Sequence, residues 1–333
     1  MRYPLGLAFD SARHLVGRKL WGGPKWPVIL SLEPLGGSCC SSSDSSMLSA
    51  EQCVRALDEC RTPVVTISGR EPLEYPEIPA LVREILQRGR HLFLYTDGAM
   101  IRRRLHMIPP YTNFFWNVRL DGTEEVHDTR TERRGLFIEA FDGVRAAKNA
   151  GFFVVVTTTI YPDTDVNDLG VLYEVLHTLH VDGYLLSPYY PAEKLCRDGS
   201  ARFREKMHQR FREVIARVGS YNLMTSPIYL EYLQGERELD CSAWGSPTYG
   251  PLGWSEPCSK QSVRYAKTYK ELLEQVVWEN YGRGLNPRCE NCQCSEGFEP
   301  AALLGVNSKA GDFWKMLAWQ FSGSLGERRN GLR

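Results

Sequence analysis

Six short runs of β-branched and aromatic residues, set apart by longer segments of helical period, constrain this chain more than anything else in it. The runs are Val28–Leu32, Val64–Ser68, His91–Thr96, Phe114–Leu120, Phe152–Ile160 and Tyr184–Ser187. The helical segments are Leu48–Cys60, Ile78–Arg88, Leu136–Ala150, Leu169–His180 and Ala201–Val218, and the stretch between the third and fourth runs is only weakly helical. Strands this apolar are buried on both faces, and joining them in parallel requires crossovers of about this length. The alternation therefore predicts right-handed βαβ units on a parallel sheet. Six units, where a closed barrel has eight, predict an α/β fold: a partial (β/α)6 TIM-type barrel, open on one side and spanning residues 27–222.

The flanks read differently. Residues 1–26 form an N-terminal helical segment, periodic from about Ala8 to Trp21, with Phe9, Leu15, Leu20 and Trp21 apolar and Arg13, Arg18 and Lys19 basic. Two uses fit it: a helix closing one end of the fold, or a peripheral membrane contact. Residues 223–333 form a cysteine-rich, loop-rich C-terminal extension whose own core would be small. Its periodic run is Tyr265–Glu279, and its last element is expected at Gly311–Phe321. There Phe313, Trp314, Leu317 and Phe321 share one face, which is expected to pack inward.

Composition narrows the function classes. The 333 residues carry 40 basic and 40 acidic side chains, so bulk charge gives no sign of a nucleic-acid binder. No apolar run approaches the roughly 20 residues needed to cross a bilayer, and no secretory signal is visible. A cytoplasmic location is expected, where the ten cysteines would be reduced. Reduced cysteines in clusters point to metal or catalysis. Cys241 and Cys258 precede C-x2-C-x-C at Cys289, Cys292 and Cys294, and four of these five thiolates would suit an iron–sulfur cluster or a structural zinc.

The strand ends carry the other candidates. Ligands of α/β folds bind at the carboxyl ends of the strands. The first strand is followed by Glu33–Ser46, EPLGGSCCSSSDSS, with Cys39 and Cys40 adjacent. The second ends in Ser68-Gly69-Arg70-Glu71-Pro72, the third in Tyr95-Thr96-Asp97, and the fourth in Arg119-Leu120-Asp121-Gly122 with His127-Asp128 beyond. Asp121 and Asp128 read equally as ligand carboxylates or as turn and cap acids. Arg102-Arg103-Arg104 and the basic helix Arg202–Arg217 read as solvated faces.

Taken together, these segments resemble the radical SAM enzymes and, among them, the adenosyl hopene transferases of hopanoid biosynthesis. The resemblance runs through LSLEPL at Leu30–Leu35, LSAEQCVRALDEC, PVVTISGREPL, WNVRLDGTEEVHD at Trp116–Asp128, VDGYLLSPYY at Val181–Tyr190, CSAWGSPT at Cys241–Thr248 and YAKTYKEL at Tyr265–Leu272. It implies a [4Fe–4S] cluster on three cysteines after the first strand. That cluster would cleave S-adenosylmethionine to a 5′-deoxyadenosyl radical, which adds to an isoprenoid alkene. It also implies ligand contacts from Ser68, Gly69, Arg70, Glu71, Thr96, Asp97 and Asp121, and an auxiliary role for the C-terminal cysteines.

The sequence departs from that pattern at one site. The C-x3-C-x2-C spacing is absent, leaving Cys39 and Cys40 as remnants. The family's Gly-Gly-Glu-Pro is Gly69-Arg70-Glu71-Pro72, which sets a cation where an ammonium would bind, at a cost of roughly 1 kcal/mol. Tyr95 stands where the transferases have a cysteine, and it and Asp121 are the catalytic candidates. Glu296 replaces a further family cysteine, with Cys294 two residues earlier. Three functions are compatible: a diverged enzyme holding a nucleoside-like or anionic ligand at the barrel mouth, an adenosyl transferase working through an atypical cluster, or a non-catalytic partner of another protein.

Overall fold

The computed structural model describes residues 2–21, 25–36, 46–190, 200–262 and 264–322. Six parallel strands follow the expected alternation: β1 (Ile29–Leu32), β2 (Val64–Ile67), β3 (His91–Thr96), β4 (Phe114–Arg119), β5 (Phe153–Ile160) and β6 (Gly183–Pro188). They lie side by side in sequence order. The helices between them include Ala50–Cys60, Ile78–Gln87, Leu136–Asn149 and Val166–Thr178, with Ser200–Val218 after β6. The first of these starts where Ser49 and Gln52 bond each other's backbone in a capping box, the reciprocal pairing that satisfies two free N–H groups at a helix start. The weakly helical stretch after β3 yields a helix of one turn, Ile101–Arg104.

Three strands lie beyond these six, in the loop-rich extension: β7 (Thr248–Gly250), β8 (Gly253–Glu256) and β9 (Arg264–Ala266). β7 runs parallel to β1, with Ser31 opposite Thr248, and β8 and β9 continue antiparallel. Runs of three or four residues with Gly at their ends carry too little periodicity to be seen in the sequence. The extension thereby shares one nine-stranded sheet with the barrel.

Alternation along each strand divides the core in two. Outward-pointing Leu30, Leu32, Val65, Ile67, Leu92, Leu94, Trp116 and Val154 pack beneath the helices, against residues such as Leu57, Leu81 and Val144. Inward-pointing Phe93, Phe115 and Val155 form a smaller cluster with Met224 and Leu7. Leu7 belongs to the N-terminal helix, Leu5–Trp21, which therefore packs against the apolar inner face of the barrel. Its place is pinned by His91, whose Nε2 lies 3.0 Å from the Asp10 carboxylate.

One expectation is overturned. In the last helix, Asp312–Ser322, the stripe predicted to pack inward faces solvent: Phe313 and Trp314 are each 69% exposed and Phe321 48%. Polar anchors set the rotation instead. The Asp312 carboxylate takes two 2.7 Å bonds from the Arg237 guanidinium, and the Arg2 and Tyr3 backbone N–H groups bond Gln320 at the other end. A buried, paired carboxylate costs more to expose than an aromatic ring, so it decides which face turns inward.

Arg237 is 2% exposed in its side chain and also lies 3.0 Å from the Glu231 carboxylate. Removing it by Arg237→Ala leaves the Asp312 carboxylate without its guanidinium and Glu231 with Lys315 alone. We expect a loss of about 3–5 kcal/mol in urea-unfolding stability. A loss below about 1 kcal/mol would show that this anchor is not what holds the last helix.

Candidate functional site

The inner face of the barrel changes character along the strands. Moving toward the carboxyl ends, Val64 gives way to Thr66, Phe93 to Tyr95, Phe115 to Asn117 and Arg119, and Val155 to Thr157. Hydroxyls and amides there bond one another: Thr66 Oγ1 to Ser31 Oγ at 3.1 Å, Ser31 Oγ with Ser68 Oγ at 3.2 Å, and Thr157 Oγ1 to Asn117 Oδ1 at 2.6 Å. Tyr95 bonds Asn117 in the same layer. The apolar end is closed by the N-terminal helix, and the polar end is where a ligand could be held.

The loops at that end are tied together. Arg70 N–H donates to the Gly36 carbonyl at 3.0 Å, and Ser68 N–H to Leu32 at 2.9 Å. Gly69 takes φ +92°, and a Cβ there would collide with the Gly36 carbonyl, so only glycine fits this approach. Cys39 and Cys40 lie outside the described residues.

The predicted carboxylates are mostly occupied by the backbone. Glu71 accepts from Leu73 N–H at 2.9 Å, Thr96 Oγ1 at 2.8 Å and Asp97 N–H at 3.0 Å. Burial nevertheless pushes its pKa up to about 7. Asp97 accepts from Ala99 N–H and pairs with Arg133. Asp121, fully buried, accepts from Thr159 N–H at 2.8 Å and from Arg119 Nε at 2.7 Å. Asp128 accepts from Phe137 N–H at 2.9 Å and also from Gly135 N–H, bonds that hold its pKa below the ordinary value. Asp128 thus holds the turn before the helix that starts at Leu136, whereas Asp121 bonds Thr159 of β5 and Arg119 and caps no turn. Arg102 lies far from these ends, on the outer helical layer, 3.9 Å from Asp142.

Groups the sequence reading did not single out complete the mouth. Arg119 extends past Asp121 to the Tyr161 hydroxyl at 3.0 Å, and the Arg130 guanidinium sits 4.2 Å over the Tyr161 ring. Tyr161 and Tyr189, one residue beyond β5 and β6, bring their rings to 4.6 Å. An aromatic pair flanked by two arginines can take a planar base on its rings and an anionic group on its guanidiniums. The first residues after a strand were a legible place to look, since Tyr161 follows a predicted strand directly and Tyr189 lies two residues past another.

The C-terminal extension adds a second group. Lys260 lies 2.9 Å from Glu296, and both act on the Glu33 carboxyl, which burial raises above its usual pKa. Glu299 sits deeper. Its Oε1 accepts from Ser226 N–H at 3.0 Å, its Oε2 has no partner among the described residues, and burial pushes its pKa up to about 7. Burial raises the Tyr95 phenol too, with Glu296 and Glu299 adding to it. Glu296 still keeps 30% of its side-chain surface and Lys260 37%, so the space they border is open to water. No motif announces these four residues, because their proximity comes from β7 joining β1.

All five C-terminal cysteines are free thiols gathered in this unit. Tyr229 and Tyr232 hold their loop through hydroxyl bonds to the carbonyls of Gln293 at 2.6 Å and Cys292 at 3.2 Å. Gln261 Nε2 reaches Cys289 Sγ at 3.0 Å. A hydrogen bond from Cys294 holds the Cys292 thiol below its ordinary pKa, whereas burial raises Cys241 and Cys258. The donor chemistry is that of a thiophilic metal site. Among the described residues, however, no three His, Cys, Asp or Glu side chains are yet placed to hold one ion. Cys53 and Cys60 are core residues beneath helix Ala50–Cys60, 0% and 1% exposed.

Comparison with known proteins agrees with this architecture. Residues 40–176 match the family model of the Radical SAM superfamily, and residues 184–316 match a family described as a domain of unknown function, DUF3463. A curated relative, Fe-coproporphyrin III synthase of Methanosarcina barkeri, is 26% identical over 133 residues, 39% of this chain. That match spans only 33% of the relative's length. Among solved structures, Streptococcus suis SuiB bound to S-adenosylmethionine superposes with TM-score 0.56 at 14% identity, over 73% of this chain and 62% of that one. The enzyme anSMEcpe with bound AdoMet superposes with TM-score 0.55 at 12% identity, over 91% of this chain and 100% of that one. Identities this low speak for the fold alone.

Glu71 and Glu299 keep their protons to about pH 7 when folded, against 4.5 for an ordinary glutamate. The unfolded chain ionises first, so stability falls as the pH rises through that window. Glu299→Gln, which retains an acceptor for Ser226, is expected to flatten that fall. Urea midpoints at about pH 5 and pH 7.5 would show it as a smaller difference in the variant than in the parent. Equal differences would mean that Glu299 ionises normally.

Proposed function

We propose that this member of the radical SAM superfamily is a diverged enzyme related to the adenosyl hopene transferases. It binds an anionic or nucleoside-like ligand at the carboxyl ends of its strands and lacks the three-thiolate cluster of its relatives. The cysteine inventory of the barrel carries the reading. Residues 27–222 hold five cysteines, Cys39, Cys40, Cys53, Cys60 and Cys196, and no three of them make the C-x3-C-x2-C spacing. Cys53 and Cys60 are sealed in the core, where burial pushes the Cys53 thiol up to about 12 and Cys60 well above its ordinary value. Both lie on the core-facing side of the helix Ala50–Cys60, 0% and 1% exposed, and not in the loop after β1 where the family holds its cluster. Cys39, Cys40 and Cys196 lie outside the described residues, and the adjacent pair with one thiol from beyond β6 does not reproduce the single three-thiolate loop of the family. The residues of the barrel therefore do not fit the catalytic cluster, and no step is derived through one.

What the chain's own residues offer is recognition. Arg119 and Arg130 supply cationic donors, Tyr161 and Tyr189 a ring face, and Ser68, Thr157 and Asn117 neutral polar groups deeper in the barrel. Tyr95, enclosed beside Asn117, can hand over a proton only to a strong base, since burial raises its pKa. The five C-terminal thiols have the donor chemistry for an auxiliary iron–sulfur cluster or a zinc ion, which on closing around them would brace the loop-rich extension.

A second reading, an active transferase adding a 5′-deoxyadenosyl group to an alkene, has one observation in its favour. The C-terminal thiols lie close enough to Tyr190, just past β6, to raise its pKa, so a remote thiolate is not far from the barrel mouth.

Metal content separates the two. After anaerobic purification, iron, zinc and acid-labile sulfide are measured in the parent and in a Cys289→Ala/Cys292→Ala variant. The proposal expects about four irons, or one zinc, lost with those cysteines. About eight irons in the parent, four of them surviving the substitution, together with 5′-deoxyadenosine release, would replace it with the second reading. Calorimetric titration with S-adenosylmethionine should show binding that Arg119→Ala weakens about tenfold. No heat in the parent would remove nucleoside recognition from the proposal.

A further inference from the structure

We infer that the N-terminal helix and the last helix together form a docking face for an anionic lipid surface. From Phe313 to Ser322 the chain contains no acid, and the outward side of that helix presents Phe313, Trp314, Leu317, Ala318 and Phe321. The Phe313 and Trp314 rings stand edge to face at 5.3 Å, a preorganised aromatic pair with each side chain 69% exposed. The N-terminal helix turns out a second apolar stripe, with Leu5 57%, Phe9 68% and Val16 58% exposed.

The two helices meet at one corner. Tyr3 and Trp319 rings pack at 5.6 Å, the Arg2 guanidinium lies 5.8 Å over Trp319, and Gln320 Nε2 donates to the Tyr3 carbonyl at 2.8 Å. These contacts join the two helices at that corner, and on both the apolar side chains named above keep a large share of their surface.

Charge selects the occupant. Residues 2–21 carry four bases, Arg2, Arg13, Arg18 and Lys19, against the single acid Asp10, which is engaged by His91. In the last helix the only acid, Asp312, is buried under Arg237. In a chain with no net charge, this corner is basic. A second copy meeting the same face across a two-fold axis would oppose base to base. An anionic bilayer satisfies both features, with rings entering the headgroup boundary and Arg and Lys meeting the phosphates. No helix among the described residues is long and apolar enough to cross a membrane, so the contact is peripheral.

The test is co-sedimentation of the full chain with phosphatidylglycerol–phosphatidylcholine vesicles and with phosphatidylcholine vesicles alone, at low and high salt. The parent should pellet with the anionic vesicles at low salt and remain largely in solution otherwise. Phe313→Ser/Trp314→Ser should weaken binding about tenfold or more. Both side chains are exposed, so near-ultraviolet dichroism and melting temperature should be unchanged. A parent that stays in solution with anionic vesicles at low salt would overturn the inference, as would a double variant that binds like the parent. A dimer seen by light scattering and lost in the double variant would overturn it in favour of a second copy.

Discussion

The parallel pairing of β7 with β1 is the interaction on which the rest of this molecule depends. It consists of few bonds: Val28 N–H to Gly245 at 2.8 Å, Ser31 N–H to Pro247 at 2.9 Å and Glu33 N–H to Tyr249 at 2.9 Å. Without it, β1 would be an open edge beside the ligand end of the barrel, with its backbone groups unpaired. With it, a loop-rich segment that could not bury a core of its own borrows the barrel's. Trp254 and Tyr269, both from the extension, join the same continuous core as Leu30 and Leu57. The pairing also fixes where the extension's charged residues fall, which is how Lys260 and Glu296 come to act on Glu33.

A barrel that is apolar at one end and polar at the other follows from the same period of two. The inner side of each strand needs a hydrophobic residue only where something packs on it. The N-terminal helix supplies that at the amino ends, through Leu7 against Phe93 and Phe115. At the carboxyl ends nothing equivalent enters among the described residues, so Thr66, Tyr95, Asn117 and Thr157 can be polar and must bond one another or a ligand. The acids around this end then divide into two kinds. Asp128 and Glu71 are used by backbone N–H groups to hold turns and Asp121 is tied to β5 and Arg119, whereas Glu299, from the extension, keeps an oxygen without a partner among the described residues.

Much of the barrel was legible in advance because each strand and helix carries its own period, and each of the six strand predictions lies within one or two residues of the structure. The site was legible only by address. Strand ends named the right region, but which residues converge there was not readable. Arg130 reaches Tyr161 across an intervening helix and strand, and Glu299 reaches Tyr95 from the far end of the chain. The stripe of Phe313, Trp314, Leu317 and Phe321 shows the opposite error. Its period was read correctly, and its direction was decided by Arg237 and Asp312, a pair 75 residues apart.

Local chemistry, then, is what the sequence by itself determined: where β-branched runs demand strands, where Ser49 starts a helix, which cysteines precede residue 61, and how many thiols the C-terminal unit holds. These depend on neighbours a few positions away, so they survive in one dimension. Tertiary structure decided which thiols are sealed and which are gathered, which carboxylates are left for a ligand, and which apolar face is covered. Those outcomes turn on burial and on charges brought together from distant positions, and neither exists until the sheet is assembled.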